Sequence, residues 1–493
     1  MIGPTLDIYV HRVYFFFESG IIFYVFVINL IYLFLVSLGA FALRKHHAPF
    51  TPADRDAIRR SPLTPSISLI VPSYNEEVSV RDSVGCMLRL DYPNYEVIVV
   101  NDGSKDRTLE FLTEEFNLFK SARSVAGPLE TRSIRRVYES TEPVRLVVID
   151  KENGGKADSI NAGINAARCD LVMVVDSDSL IERDGLFEMI KPFLEEPERT
   201  VAVGGTVRAV NDCEVRSGVV RRIRTSKSML ANFQSVEYLR AFFGGRVGFS
   251  LFNCMLIISG AFGIFRRDRA IEVGGFDHSS IGEDMELVVR MHHFYRDAKR
   301  PYRIAYVAVP VCWTEVPQDW KILHRQRKRW QRGTVDSLWR HREMFFNPRY
   351  GVVGMFAFPY FTLFEMFGPM VETLGYLLTV VGLMFHIISI YVAVLFFTVS
   401  IAFGILLSTS AVLLDELTPC KFPNWRHTLT LFSAAILENF GFRQVLTLWR
   451  AQGLWEGMRG KKATWGVMTR RGFSPSSAPA TPRPQERAAA EAG

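Results

Sequence analysis

LVMVVDSD, residues 171–178, runs five apolar residues together and then ends in two aspartates separated by one serine. Consecutive rather than alternating apolar positions are what a strand covered on both faces of a parallel sheet requires. The same form recurs in SISLIVPSY (66–74), YEVIVVND (95–102), RLVVID (145–150) and VAVGGTVRAV (201–210), with helical stretches at 76–89 and 156–168 between them. This alternation predicts a doubly wound, Rossmann-like α/β domain. In such sheets ligands gather beyond the carboxyl ends of the strands, and PSYNE, NDGSKD and DSDS each fall at such an end. Three strands thus deliver acidic or amide groups to one edge.

Outward from this core the rhythm changes. Residues 117–143 are rich in Ser, Gly, Arg and Thr and read as a surface insertion. Residues 219–246 read as a long helical stretch, followed by a further strand, IISGAFGIFRR (257–267). An amphipathic helix opens at Glu283 and Asp284 and runs to about Tyr295.

Both ends of the chain are apolar. Residues 21–43 form an uncharged run of 23 residues, enough to cross a hydrocarbon layer of roughly 30 Å at about 1.5 Å per residue, and too long for a signal-peptide core. Arg44, Lys45, His46 and His47 follow it, whereas the first twenty residues carry Arg12 alone as a full positive charge, so the chain after Arg44 is expected in the cytoplasm. Beyond Tyr350, residues 352–385 are interrupted by Pro359, Glu365 and Gly368-Pro369, while 387–414 form a cleaner span. Residues 429–449 contain Glu438, Asn439, Arg443 and Gln444 and read either as a span lining the protein interior or as an interfacial helix. The tail carries Lys461, Lys462, Arg470 and Arg471 and ends in SPSSAPATPRPQERAAAEAG, too poor in apolar residues to fold.

The expected organisation is therefore an extracytoplasmic segment 1–20, a transmembrane helix 21–43, a linker 44–65 and a cytoplasmic domain 66–345. A membrane region 346–450, with interfacial helices and two to four spans, and a basic cytoplasmic tail 451–493 complete a multi-pass protein of the cell membrane.

The net charge of +7 does not point to nucleic acid, because the basic residues cluster beside apolar segments and in QRKRWQRG (326–333). An anionic membrane surface and a phosphorylated substrate account for that placement, and no nucleic-acid partner is expected. Six scattered cysteines without a CxxC pair exclude a disulfide framework and structural zinc.

Four clusters carry chemistry. Asp176 and Asp178 suit a hard divalent ion that takes one or two carboxylates and fills its shell with diphosphate oxygens and water; the plainer alternative is an acidic turn capping a helix at 183–193. Asp102 ends its strand where a carboxylate can accept hydrogen bonds from a base or ribose, or merely close a loop. Glu283 and Asp284 follow Gly282 at a helix start. There they either contribute about 0.3–1 kcal/mol of dipole pairing or make Asp284 a general base. In 326–330 the spacing puts Gln326, Arg327 and Trp330 on one helical face, guanidinium and amide for a diphosphate and an indole for a sugar ring. Lys328, Arg332, Arg325, Arg340 and Arg342 keep the role of facing lipid headgroups or solvent.

VNDGSKD, DSD, GED and QRKRW, in this order and with an apolar anchor on either side, resemble the family 2 glycosyltransferases. Within them they look like the membrane-embedded synthases of cellulose, chitin, hyaluronan and poly-N-acetylglucosamine. The resemblance extends over 66–341 and the membrane layout around it. It implies a nucleotide-sugar-binding, GT-A-like domain flanked by transmembrane helices and an inverting hexosyl transfer, most often from a UDP-sugar, with Mg2+ or Mn2+ as cofactor. Carried over by position, Pro72, Tyr74, Glu76 and Asp102 border the nucleoside, and Lys156 lies near the donor. Asp176 and Asp178 belong to the metal and diphosphate site, and Asp284 is the base. Gln326, Arg327 and Arg329 hold the diphosphate. Trp330, Glu283, Gly260 and Ala261 lie on the acceptor side, the last two within SGAFGIFRR (259–267).

There are departures. Gly282 stands where many members have threonine, the gating pattern FxVTxK is absent, and the 117–143 insertion has no counterpart. No cyclic-dinucleotide-binding domain follows the membrane region, which counts against cellulose made under that control.

The leading expectation is a processive synthase that extends a polysaccharide and feeds it into a membrane passage, with an export partner protein left open. Glu365, Glu372, Glu438, Asn439 and Arg443 either line that passage or join helices. Addition of one sugar to a lipid, as ceramide glucosyltransferases do, is the alternative. A noncatalytic sensor or scaffold that binds nucleotide sugars is the third reading.

Overall fold

The computed structural model describes residues 4–46, 50–141, 145–216, 219–418 and 424–460. Its strands are β1 (Ile67–Ser73), β2 (Tyr95–Asn101), β3 (Phe119–Ser121), β4 (Ile134–Glu139), β5 (Arg145–Lys151), β6 (Leu171–Val175), β7 (Ser179–Ile181), β8 (Thr200–Ala209), β9 (Glu214–Arg216), β10 (Val219–Arg222), β11 (Phe262–Arg266) and β12 (Arg303–Thr314). Ten of them form one sheet in the order β3-β4-β5-β2-β1-β6-β11-β8-β12-β7, and β9 with β10 make a separate ribbon.

The four central strands β5, β2, β1 and β6 are parallel. They are the runs of consecutive apolar residues, and β6 is buried at all five positions, as a strand covered on both faces must be. The sheet is mixed beyond them. β11 is antiparallel to both β6 and β8, and β12 returns parallel to β8.

Within this domain three expectations are corrected. The 117–143 segment is more than a surface insertion, since β3 and β4 extend the sheet edge antiparallel to β5. Of the β4 residues IRRVYE only Val137 is buried, so the signature of a covered strand is missing there. Residues 219–246 do not begin as a helix: Val219–Arg222 belongs to the ribbon, and the helix starts at Met229, continuing as a π-helical stretch over Arg240–Arg246. The strand expected at 257–267 shortens to β11. The twelve-residue β12 is an addition that Pro310 conceals, because proline is foreign to central strands and the β8–β12 register shifts around it.

At the N-terminus one helix of 43 residues, Pro4–His46, runs through the boundary expected at 20/21, and its His11–Arg44 part is long and apolar enough to cross a membrane. Ile390–Asp415 is a second such helix, and Val353–Met366 with Gly368–Met384, bent by 40°, forms a third if the pair is one broken span. Residues 429–449 are not one span. Trp425–Leu437 and Phe442–Met458 are separated at Gly441, whose φ of +106° breaks the helix. The tail expected to be disordered lies, from residue 461, outside the described residues.

Polar residues inside the apolar segments join helices. Glu365 binds Tyr32 and Arg450, Glu372 accepts from Thr447 at 3.0 Å, Glu438 binds Arg240 and Ser408, and Asn439 accepts from Arg443 at 3.0 Å. A buried ion pair between Arg208 of β8 and Asp415 ties the sheet to the end of the second apolar helix.

Candidate functional site

The carboxyl ends of β1, β2, β5 and β6 form one edge, and the site is built there. Asp176 follows β6 directly, and its carboxylate meets Lys156 Nζ at 2.6 Å. Lys156 opens the helix Lys156–Ala166 after Gly155, whose φ of +90° lets the chain turn sharply from β5 into that helix. The same ammonium donates to the Gly260 carbonyl at 3.1 Å and lies 3.6 Å from Glu283. Asp284 accepts the Gly260 N–H at 2.9 Å through one oxygen and the Met285 N–H at 2.8 Å through the other. A Cβ at Gly260 would come within 3.1 Å of the Asp284 carboxylate and 3.2 Å of Lys156 Nζ, so glycine allows the three to meet.

Burial opposes the charge on Lys156, but Asp176, Glu283 and Asp284 outweigh it and hold the ammonium above the ordinary lysine range. Burial pushes Glu283 up, with Lys156 opposing and Asp284 reinforcing the shift. One lysine thus serves three carboxylates, an arrangement suited to a site that will receive more charge.

A cavity of about 1110 Å³ opens beside this cluster. Its walls include Gly154 to Lys156, Glu283, Arg132, Trp339 and Met458, with Arg329 and Arg332 from the helix Trp320–Arg340. That helix is fixed to the loop before Glu283. Asp336 accepts from Ser280 Oγ at 2.9 Å and from the Ile281 N–H at 3.3 Å, and Arg340 reaches Asp277 at 2.9 Å. The helix Phe442–Met458 packs along its other side through Lys328–Glu456 at 2.6 Å and His324–Gln452 at 3.0 Å.

The expected residues divide into those that converge and those that do not. Lys156, Asp176, Glu283, Asp284 and Gly260 converge, with Ala261 in the same turn ahead of β11. Asp178 is buried in the turn between β6 and β7. Asp102 lies at the end of β2, but its carboxylate is already engaged. It takes Lys151 Nζ at 2.6 Å, Gly154 N–H at 2.9 Å and Gly155 N–H at 2.8 Å. It therefore shapes the glycine loop. Pro72 pairs in register with Val100 inside the sheet, Glu76 binds Ser79, and Tyr74 is exposed beyond β1.

The basic motif splits. Arg329 lines the cavity, whereas Arg327 is buried, pairs with Glu237 at 2.7 Å, donates to Gln326 at 2.9 Å and lies 4.2 Å from the Trp330 ring centre. Gln326, Arg327 and Trp330 do share one region, as their spacing predicts, but none of the three lines the cavity that Arg329 walls. Three roles assigned to headgroups or solvent are corrected: Arg332 is buried in the cavity wall, and Lys328 is held by Glu456. Arg340 likewise holds Asp277 and Asp336.

Sequence reasoning missed Lys151, fully buried between Asp102 and Asp158 at 2.6 Å from each. A lysine closing the apolar run RLVVID was the signal, since a buried cation demands carboxylates. Among the described residues no three of His, Cys, Asp and Glu gather as a metal site.

Residues 65–333 match the model of a family described as glycosyltransferase like family 2. Poly-beta-1,6-N-acetyl-D-glucosamine synthase of Staphylococcus aureus (strain COL) is 28% identical over 275 residues, which cover 56% of this chain and 56% of that protein. The Staphylococcus epidermidis protein of the same name is 30% identical over 275 residues, again 56% of each chain. The match thus spans about half the length of these curated relatives. Among solved structures, a mannosyltransferase from Pyrobaculum calidifontis in complex with GDP-Man and Mn2+ superposes with a TM-score of 0.51 at 18% identity, over 87% of this chain and 99% of that one, and supports the fold.

Proposed function

Since the chain belongs to glycosyltransferase like family 2, we propose that it is an inverting membrane glycosyltransferase that moves a sugar from a nucleotide sugar to the hydroxyl of a growing polysaccharide. The observation that carries this reading is the junction of Asp284, Gly260, Lys156 and Asp176 beside a cavity walled by Arg329 and Arg332. A base, a fixed wall and a cationic end for a leaving group lie in one place.

In the proposed reaction the acceptor oxygen bonds to the anomeric carbon as the bond from that carbon to the diphosphate oxygen breaks. The bonding pair leaves with the diphosphate, and Asp284 takes the hydroxyl proton. Attack from the face opposite the leaving group inverts the anomeric centre. Arg329 and Arg332 meet the charge that develops on the diphosphate, which favours departure without a proton. The amide of Gly260 holds Asp284 in place, and Trp330, 40% exposed, offers its ring to a sugar at the acceptor end.

A divalent cation, Mg2+ or Mn2+, fits the donor set, because Asp176 and Asp178 supply the one or two carboxylates that a diphosphate-bound ion takes from protein. Bound there, it would neutralise part of the diphosphate charge. Basic residues 44 and 45 support a cytoplasmic domain, and the apolar helices around it suit delivery of the product into the membrane.

Purified protein in detergent with Mg2+ and labelled UDP-sugars tests this, UDP-N-acetylglucosamine first in view of the relatives' names. A ladder of lengthening products is expected. A single organic-soluble product would overturn the polysaccharide reading in favour of transfer to lipid.

A further inference from the structure

We infer that Arg132 is a donor-binding residue, pairing with phosphate oxygens at the nucleotide end of the diphosphate sugar; this rests on the nucleotide-sugar reading above. Arg132 sits in the segment between β3 and β4, just before β4, and its side chain lines the same cavity as Lys156, Arg329 and Arg332. Nothing in the four motifs of the sequence points to it.

Two features fix it there. Its backbone N–H donates to both oxygens of Asp158, at 3.0 and 3.3 Å, and Asp158 shares the buried Lys151 with Asp102. The segment is thereby tied to the ends of β2 and β5, where Asp102 holds the N–H groups of Gly154 and Gly155. The stem of Arg132 also lies against Gly154, where an added Cβ would come 2.8 Å from Arg132 Cγ. The same Cβ would come 2.5 Å from Asp158 Cγ, so glycine at 154 lets Asp158 and the Arg132 stem close on the loop together.

The backbone and stem of Arg132 are therefore anchored while its head is left for the cavity. Arg132 is exposed, and no carboxylate among the described residues pairs with its guanidinium, in contrast to the buried Arg327, which Glu237 neutralises. A planar fork of donors beside a glycine loop matches phosphate oxygens better than it matches a neutral sugar. Arg132 and Arg329 come from different elements, the segment before β4 and the helix Trp320–Arg340, and both line the one cavity.

Calorimetric titration of the purified full chain with UDP and GDP tests the assignment, using wild type, Arg132→Gln and Arg132→Lys. Arg132→Gln is expected to weaken nucleoside diphosphate binding roughly tenfold, to raise the donor KM more than it lowers kcat, and to leave the melting midpoint unchanged. Arg132→Lys recovers part of the affinity, and the deficit of Arg132→Gln shrinks at high salt. Equal affinities for wild type and Arg132→Gln overturn this assignment and leave the proposed function standing. Wild type without affinity for either nucleotide overturns both.

Discussion

Gly282 and Gly333 pack backbone against backbone: a Cβ on Gly282 would lie 2.9 Å from the Cα of Gly333, and one on Gly333 would lie 3.0 Å from the Cα of Gly282. This contact seats the loop that leads into Glu283 and Asp284 on the helix that carries Arg329 and Arg332. It also gives a physical reason for glycine at 282, since any Cβ there would meet the backbone of Gly333.

Gly333→Ala forces that helix away from the loop. Overpacking of this kind costs roughly 1–3 kcal/mol, and the displacement separates Asp284 from the wall of Arg329 and Arg332. The expected result is a lower melting midpoint together with a fall in kcat of about tenfold or more, read by thermal unfolding and donor-saturated rates. Gly282→Thr should do the same; a Gly282→Thr enzyme with unchanged rate and midpoint would show that the contact does not set the site.

His292 supplies a pH test. Its ring is buried, with Nδ1 2.6 Å from the Tyr302 hydroxyl and Nε2 3.0 Å from the Met255 carbonyl. Burial pulls its pKa from 6.5 to about 4. The unfolded chain binds the proton first, so the stability tied to neutral His292 is present above about pH 6.5 and is lost as pH falls toward 4. The loss is on the order of 3 kcal/mol. The denaturation midpoint should therefore fall more steeply over this range in wild type than in His292→Gln.

Arg208 and Asp415 form a buried pair between the sheet and the second apolar helix. Removing one partner strands the other charge, at about 3–5 kcal/mol. Arg208→Ala is therefore expected to be strongly destabilised in detergent, and Arg208→Leu with Asp415→Leu to regain most of the loss, because an apolar pair of similar bulk needs no counter-charge. A double variant as unstable as Arg208→Ala would contradict this.

How far the sequence was legible depended on whether local pattern or long-range packing decided each element. The strands β1, β2, β5, β6 and β8 were readable because burial on both faces leaves an unmixed apolar run. The edge strand β4 hid behind exposed arginines, and β12 behind Pro310. In the site, Lys156, Asp176, Glu283, Asp284 and Gly260 were found through motifs whose spacing matches a known family. Arg332 and Arg132 were not, because their place on the cavity wall follows from how a helix and an edge segment fold back on the sheet. Arg327 shows the converse. Its adjacency to Trp330 was readable from helical spacing, whereas the Glu237 that neutralises it is 90 residues away.

The central claim is that Asp284 takes the proton from the acceptor hydroxyl while other residues bind the donor. Asp284→Asn keeps the shape and an acceptor for the Gly260 N–H but removes the base. Measured side by side, transfer of labelled sugar and binding of UDP separate the two roles. The account predicts that transfer by Asp284→Asn falls to background while UDP affinity stays within about threefold of wild type. Transfer at a rate comparable to wild type would contradict it.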